Sequence, residues 1–318
     1  MAEKSNIKPR QIMLSKRANI FYLEHVRVLQ KDNRICYLTD RGEDLEYFFN
    51  IPERNTMLVL LGRGTSITDA AMRRMAESNV LVGFCGSGGS PLHMITEPVF
   101  MTPQSEYRPS EYMQHWVKKW FDEPVRLRMA KDLLFERILW TQSAWLKNPS
   151  LVERHVSIPD PLADRFRGRI EAAEDSQNLL LAEAEWAKTL YRLLAQGFRI
   201  SFIRDEGQRR LSSPPERVNS FLDHGNYIAY GLAAVALNGL GISFAFPLLH
   251  GKTRRGALVF DVADLIKDAY VMPLAFQSGV SAACKENEFR GRLIECFHEV
   301  DIADRLFGFV KAMSLKVY

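Results

Sequence analysis

The sequence predicts an α+β protein of two parts: a β-rich, sandwich-like N-terminal domain over residues 1–101, and a larger all-α domain over 111–318. Three observations predict it. The first hundred residues read as short apolar runs separated by turn chemistry, the pattern of strands rather than helices. The run Thr102-Pro103-Gln104-Ser105-Glu106-Tyr107-Arg108-Pro109-Ser110 then holds two prolines and little apolar content, which marks residues 102–110 as a linker. Beyond it the apolar period becomes helical. A length of 318 residues agrees with two domains, because single cores stop growing at roughly 250–300 residues.

In order, the strand-like runs are Ile20–Leu29, Ile35–Leu38, Met57–Leu61, Val80–Cys85 and Leu92–Ile95. The glycines of Cys85-Gly86-Ser87-Gly88-Gly89-Ser90-Pro91 suit a hairpin connection. A phosphate-cradling loop would need a Lys-Ser/Thr after the glycines and a helix beyond them, and neither follows. Thr68–Ser78 is a short helical stretch capped by Thr68 or Asp69. In the second part, a helix starts at Ser110 or Glu111 and runs through Trp120. Another starts at Pro124, with Leu127, Leu133, Leu134, Ile138, Leu139 and Trp145 at helical spacing. Prolines 149, 159 and 161 punctuate a connection. Long helices are then expected over Gly168–Gln196 and Val218–Leu237, a shorter one over Asp261–Tyr270, and a closing helical region over Lys285–Phe309.

Composition excludes several classes. With 47% apolar and 25% charged residues the chain is globular, neither disordered nor a disulfide scaffold. Its net charge of +4 permits a polyanion partner without demanding one. The N-terminal MAEKSNIKPRQ lacks the apolar stretch of a secretory signal, so the cytoplasm is the expected compartment. Cys36, Cys85, Cys284 and Cys296 form no C-x-x-C pair and read as reduced, buried thiols. Gly225–Leu249 carries no charged side chain and is about long enough to span a bilayer. Asn226, Asn238, Gly239, Gly241 and Pro247 interrupt it, so no membrane span is expected; Gly239–Gly241 reads as a stop between a buried helix and a short extended segment.

The segment richest in chemistry is HGKTRRGALVFDVADLIK, His250 to Lys267. Asp261 reads as an N-cap, and Asp264 follows one turn later on the same side. Gly251 and Gly256 let Lys252-Thr253-Arg254-Arg255 fold back, so His250 and the two carboxylates can converge. An imidazole with carboxylate oxygens and open positions suits Mg²⁺ or Mn²⁺, and the cationic loop suits phosphate. Each residue also has a plainer reading: Asp261 as a cap, Asp264 as a solvated acid, His250 as a structural histidine. The long helix supplies a third acid. Glu183 lies three before Trp186, beside the face marked by Leu179, Trp186, Leu190 and Tyr191, whereas Glu185 points more toward water; periodicity leaves both open. Further basic groups cluster at Arg165-Phe166-Arg167-Gly168-Arg169 and from Arg204 through Arg209 and Arg210 to Arg217, in what read as connections that could flank the site.

At these residues the sequence resembles the first CRISPR-associated protein family, the integrase of CRISPR adaptation, in its I-F-like subtype. Glu183 and Tyr191 fit the family's glutamate with a tyrosine eight positions later. Val218-Asn219 through Tyr227-Ile228-Ala229-Tyr230 to Leu237-Asn238-Gly239 fits its Asn-rich apolar helix. Gly241 to His250 and Asp261-Val262-Ala263-Asp264 fit its glycine-to-histidine segment and Asp-x-x-Asp helix, and Gly62-Arg63-Gly64-Thr65-Ser66-Ile67-Thr68 fits a turn of its N-terminal domain. Where many members have Pro-x-x-Gly-Phe before the histidine, this chain has Phe244-Ala245-Phe246-Pro247-Leu248-Leu249, a change of local backbone rather than of ligands.

The resemblance implies a homodimer formed through the β domain and one divalent metal, Mg²⁺ or Mn²⁺, held by Glu183, His250 and Asp264 with Asp261 in support. It implies a metal-dependent DNA endonuclease and integrase that joins foreign fragments into a CRISPR array by 3′-hydroxyl attack on a phosphodiester. Lys252, Arg254 and Arg255, with Arg209 and Arg210, would contact double-stranded DNA. The implied partner is the second CRISPR-associated protein, in this subtype fused to a helicase-nuclease. Two alternatives share parts of this pattern: a structure-selective DNA repair nuclease with the same metal site, and an architectural DNA-binding dimer without catalysis.

Overall fold

The computed structural model describes residues 12–39, 47–86, 98–103, 109–205, 211–250 and 256–318. Among them the N-terminal part is β-rich and the remainder helical, as the sequence predicts. One four-stranded sheet sets β1 (Asn19–Leu23), β5 (Thr56–Leu61), β7 (Leu81–Phe84) and β8 (Val99–Met101) side by side, parallel except for β8. The other runs β4 (Tyr47–Ile51), β3 (Arg34–Thr39), β2 (Val26–Lys31) and β6 (Ser66–Ile67), with β2 antiparallel to β3 and parallel to β6. The apolar run from Ile20 to Leu29 is therefore two strands in two sheets: His25, at a φ of 52°, turns the chain between them. Strand β4 has no counterpart among the expected runs. The expected strand at Leu92–Ile95 and the turn from Ser87 to Pro91 lie outside the described residues.

The alternation of side chains along β5 explains how the two parts join. Val59 and Leu61 face the other sheet, packing with Leu23, Val28, Ile35 and Val82 and with Met75 of α1 (Asp69–Glu77). Thr68 caps that helix, its hydroxyl accepting from the Ala71 amide at 3.3 Å. Leu58 and Leu60 point the opposite way and share a core with the helical part, together with Ile20, Met57 and Leu81. Leu58 meets α7 (Pro214–Gly239) at Gly231, where a Cβ would overlap its side chain. Glycine at that position lets sheet and helix approach.

The helical part begins with α2 (Glu111–Trp120), α3 (Glu123–Lys147) and the short α4 (Pro149–Glu153). Asp122 caps α3 by accepting from the Val125 amide at 3.1 Å, with Pro124 in its first turn. The single helix expected over Gly168–Gln196 is two: α5 (Asp160–Ala172) and α6 (Ser176–Gly197). Asp175 ends the continuity, because its carboxylate accepts from the Asn178 amide at 2.7 Å and starts a new helix. The basic run Arg165 to Arg169 thus lies on α5 rather than in a connection.

Helix α7 is buried almost all round, which accounts for its long uncharged stretch. It ends at Gly239, and Gly241 at a φ of 68° turns the chain away into an irregular segment rather than a strand. No described helix is long and apolar enough to cross a membrane. Next come α8 (Ala257–Ile266), a π-helical turn (Lys267–Val271) and α9 (Met272–Gly279). The region Lys285–Phe309 divides into α10 (Glu286–Glu299) and α11 (Ile302–Leu315) at Asp301, whose φ is 49°.

Candidate functional site

Asp261 is not the N-cap its position suggests. The apolar Ala257-Leu258-Val259-Phe260 is already helical, started by Gly256 at a φ of 74°, so Asp261 sits in the second turn of α8, fully buried. Its carboxylate caps another segment. Oδ2 accepts from the amides of Leu248 and Leu249 at 2.6 and 3.1 Å, and Oδ1 from the His250 amide at 3.2 Å. The same Oδ1 lies 2.7 Å from His250 Nδ1. An ionised carboxylate only accepts, so Nδ1 carries the proton and Nε2 keeps its lone pair free for a cation or a proton. The Phe244-to-Leu249 segment is further pinned by the indoles of Trp116 and Trp120, which donate to the carbonyls of Phe246 and Pro247 at 3.1 and 2.6 Å.

Asp264, three residues on, belongs to a different cluster. Its Oδ1 accepts from Lys267 Nζ at 2.7 Å and its Oδ2 from Arg137 Nη1 at 3.3 Å. The same Nη1 donates to Glu183 Oε1 at 2.8 Å. A single guanidinium nitrogen thus joins Glu183 of α6 to Asp264 of α8. The rest of that guanidinium is held by Asp268: Nε to Oδ2 at 2.6 Å and Nη2 to Oδ1 at 3.2 Å. Asp268 is fixed in turn by Trp186 Nε1 on its Oδ2 at 3.0 Å and by Trp145 Nε1 on its carbonyl at 2.9 Å.

Electrostatics tie the two clusters together. Burial opposes ionisation of Asp264, but Lys267, Arg137 and His250 outweigh it and hold the carboxyl down at about 2. Burial would lower the His250 imidazole, yet the Asp261 hydrogen bond and the negative charges of Asp264, Asp261 and Glu183 raise it. Glu183 is thus the helix carboxylate that shares a guanidinium nitrogen with Asp264. Glu185 is half-buried and paired with Arg165 and Arg169 on α5. Lys252, Arg254, Arg255, Arg209 and Arg210 lie outside the described residues. Arg217 is buried, donating to the Gly279 carbonyl at 2.9 Å, and serves the packing of α7 against α9.

Two carboxylates and an imidazole with a free Nε2 are the donor chemistry that a hard divalent cation takes when water fills its other positions. In the conformation described, cations of the protein occupy the carboxylates: no three His, Cys, Asp or Glu side chains converge at metal-binding distance among the described residues. The residues fit a metal by donor type, with Arg137 and Lys267 standing where it would compete.

Sequence reasoning missed Arg137, Lys267, Asp268 and Trp186. The signal for Arg137 was present: it falls on the stripe of Leu133, Leu134, Ile138, Thr141 and Trp145, all buried, where an unpaired cation would be costly. Lys267 and Asp268 lie three and four residues after Asp264, one turn along the same face.

The family model for CRISPR associated protein Cas1 matches residues 21–308. The CRISPR-associated endonuclease Cas1 of Pseudomonas aeruginosa is 43% identical over 95% of this chain and 94% of its own length. That of Pectobacterium atrosepticum is 41% identical over 96% and 95%. Among solved structures, a TtCas1–DNA complex superposes with a TM-score of 0.67 at 22% identity, over 94% of this chain and 93% of its own. A casposase bound to integration product gives 0.69 at 16%, over 93% and 90%. A Cas6-RT-Cas1–Cas2 complex gives 0.66 at 14%, over 95% of this chain and 36% of the larger one. These structures share the fold, and on the family match and the two near-full-length relatives the chain belongs to the CRISPR-associated Cas1 family.

Proposed function

We propose that this protein is a metal-dependent DNA endonuclease and integrase that inserts foreign DNA fragments as new spacers into a CRISPR array. The observation that carries the reading is the meeting of Glu183 and Asp264 on one guanidinium nitrogen, next to a histidine whose Nδ1 is committed to Asp261. Glu183, Asp264 and Nε2 of His250 would hold one Mg²⁺ or Mn²⁺. Held there, the ion would supply Lewis-acid polarisation of a phosphodiester and stabilisation of the oxygen that leaves.

The chain's own groups prepare that position. Asp261 fixes the imidazole's tautomer and orientation, and its three backbone hydrogen bonds fix the segment that carries His250. The carboxylates of Asp264 and Glu183 would be the hard oxygen donors to the ion. In strand transfer a fragment's 3′-oxygen forms a new bond to phosphorus while the repeat strand's own 3′-oxygen leaves. The attacking hydroxyl loses a proton and the leaving one gains it, so phosphodiesters are conserved and no outside energy source is needed. Lys252, Arg254, Arg255, Arg209 and Arg210 contact DNA phosphates, which makes duplex binding fall steeply with added salt. The two-domain division at 102–110, a homodimer through the β domain, cytoplasmic residence, and a complex with the second CRISPR-associated protein fused to a helicase-nuclease complete the proposal.

Alanine variants test it on a fragment-plus-array substrate with Mg²⁺ or Mn²⁺. Asp264→Ala, His250→Ala and Glu183→Ala lose cleavage and strand transfer by about a thousandfold while binding duplex normally. Glu185→Ala keeps both activities. Full activity in Asp264→Ala or His250→Ala overturns the site, and a dead Glu185→Ala overturns the choice of helix residue.

A further inference from the structure

The buried charges beside the site do not balance. Glu183, Asp264 and Asp268 contribute three carboxylates against the two cations Arg137 and Lys267. Solvent does little to neutralise the difference: Arg137 is 3% exposed and Asp268 fully buried, and only the Glu183 and Lys267 side chains keep partial exposure, 15% and 19%. Nor can the guanidinium turn to suit. Two of its nitrogens are fixed on the two oxygens of Asp268, and Asp268 is itself fixed by two indoles, so the third nitrogen points one way, at Glu183 and Asp264. An arginine paired only with Asp268 would leave the N–H groups of Nη1 without a partner in a buried place. This one spends its remaining nitrogen on carboxylates from two different helices.

We infer that Arg137 is a positioning residue: an internal cation that bridges Glu183 and Asp264 while the site lacks a metal and competes with the metal for them, with its competing strength set by Asp268. The inference rests on the reading of Glu183 and Asp264 as metal-holding residues. Asp268 draws off part of the guanidinium's charge and, through it, weakens its hold on the other two acids. The two residues therefore have opposite effects on metal binding. Removing the cation leaves more net negative charge for the ion. Removing the Asp268 charge returns Arg137's full attraction to Glu183 and Asp264. A purely structural ion pair gives no such opposition, because breaking it from either side loosens the same contact.

The test measures Mn²⁺ binding to the full-length protein by calorimetry and by the electron paramagnetic resonance of free Mn²⁺. Asp268→Asn, which preserves shape, weakens Mn²⁺ binding about tenfold, and Arg137→Gln tightens it about threefold or more while slowing cleavage. Trp186→Phe, which removes one hydrogen bond from Asp268 without changing charge, moves affinity by less than about twofold. Arg137→Lys, which keeps the cation but cannot bridge, returns affinity to the parent's side of Arg137→Gln. Unchanged Mn²⁺ affinity in Asp268→Asn overturns the inference, as does a shift of the same sign in Asp268→Asn and Arg137→Gln. Asp268→Asn keeps the question open to refutation if Arg137→Gln does not fold. If Asp264→Ala binds Mn²⁺ as the parent does, the reading of the site fails first and takes the inference with it. If Asp264→Ala loses the ion while the other two variants match the parent, only the inference fails.

Discussion

Of the buried arginines in the helical domain, Arg137 and Arg290 each pair with acids, and they are satisfied in different ways. Arg137 gathers three carboxylates from α6, α8 and the π-helical turn, all within that domain. Arg290 of α10 reaches across to the β-rich part: Nη2 donates to Glu24 at 3.2 Å, and the guanidinium lies 4.2 Å from the centre of the Tyr22 ring. Its Nη1 is 3.4 Å from His224 Nδ1, and the other ring nitrogen of His224 is 3.2 Å from Glu286. The Tyr22 hydroxyl, buried in the same place, has no hydrogen-bond partner among the described residues. Around Arg290 the groups come from two domains, and the guanidinium meets one acid, one imidazole and one aromatic face. Around Arg137 they come from one domain and leave negative charge in excess. The difference separates a strut from a site: Arg290 ties groups of the two parts together, whereas Arg137 draws acids from three segments of one part onto a single cation.

The comparison breaks if Arg290 also serves the chemistry. Arg290→Ala should cost about 2–3 kcal/mol of stability, because Glu24 and His224 lose their partner in a largely buried place. It should leave Mn²⁺ affinity and, below the melting temperature, cleavage unchanged; a loss of metal binding in a folded Arg290→Ala would merge the two clusters. A smaller effect is expected where the same two domains meet without charge. Gly231→Ala drives a methyl into Leu58 and should cost about 1–3 kcal/mol by overpacking, read as a lower midpoint of urea unfolding. No change there would mean that sheet and helix can part without cost.

The smallest effect depends on pH. Hydrogen bonding to His224 is the main influence on the Glu286 carboxyl and, with Ser220 and Arg290, outweighs burial to bring it from its ordinary 4.5 to about 2. A carboxyl depressed in the folded state adds stability that is complete above its unfolded value and is lost as pH falls through the folded one. The melting temperature of the parent should therefore drop more steeply between about pH 4.5 and pH 2 than that of Glu286→Gln. Parallel curves would show that Glu286 adds nothing to the strut.

Much of this architecture was legible in the sequence. The change of period after the two prolines marks the start of the helical part, and Pro124 signals where α3 begins. His250 and Asp264 can be singled out as candidates because an imidazole and acids fall together in one segment, whereas Glu183 is told from Glu185 only by the resemblance, through the tyrosine eight positions on. What was not legible follows from local physics as well. An apolar run such as Ala257 to Phe260 looks the same whether it is a buried strand or a buried helix. Asp261 was consequently read as a helix start, when it is an interior residue whose carboxylate caps the backbone ahead of His250. The break at Asp175 was hidden because apolar spacing continues on both sides of it. Arg137 was passed over because a cation on an apolar stripe has meaning only once its partners, up to 131 residues away, are known.

The indoles offer a last consequence. The chain has five tryptophans, and four donate to the frame of the site: Trp116 and Trp120 to the segment ahead of His250, Trp145 and Trp186 to Asp268. Indole emission responds to the charge and polarity around its ring nitrogen. The protein's own fluorescence is thus a label-free optical readout of whether that frame has moved, available before any DNA is cut.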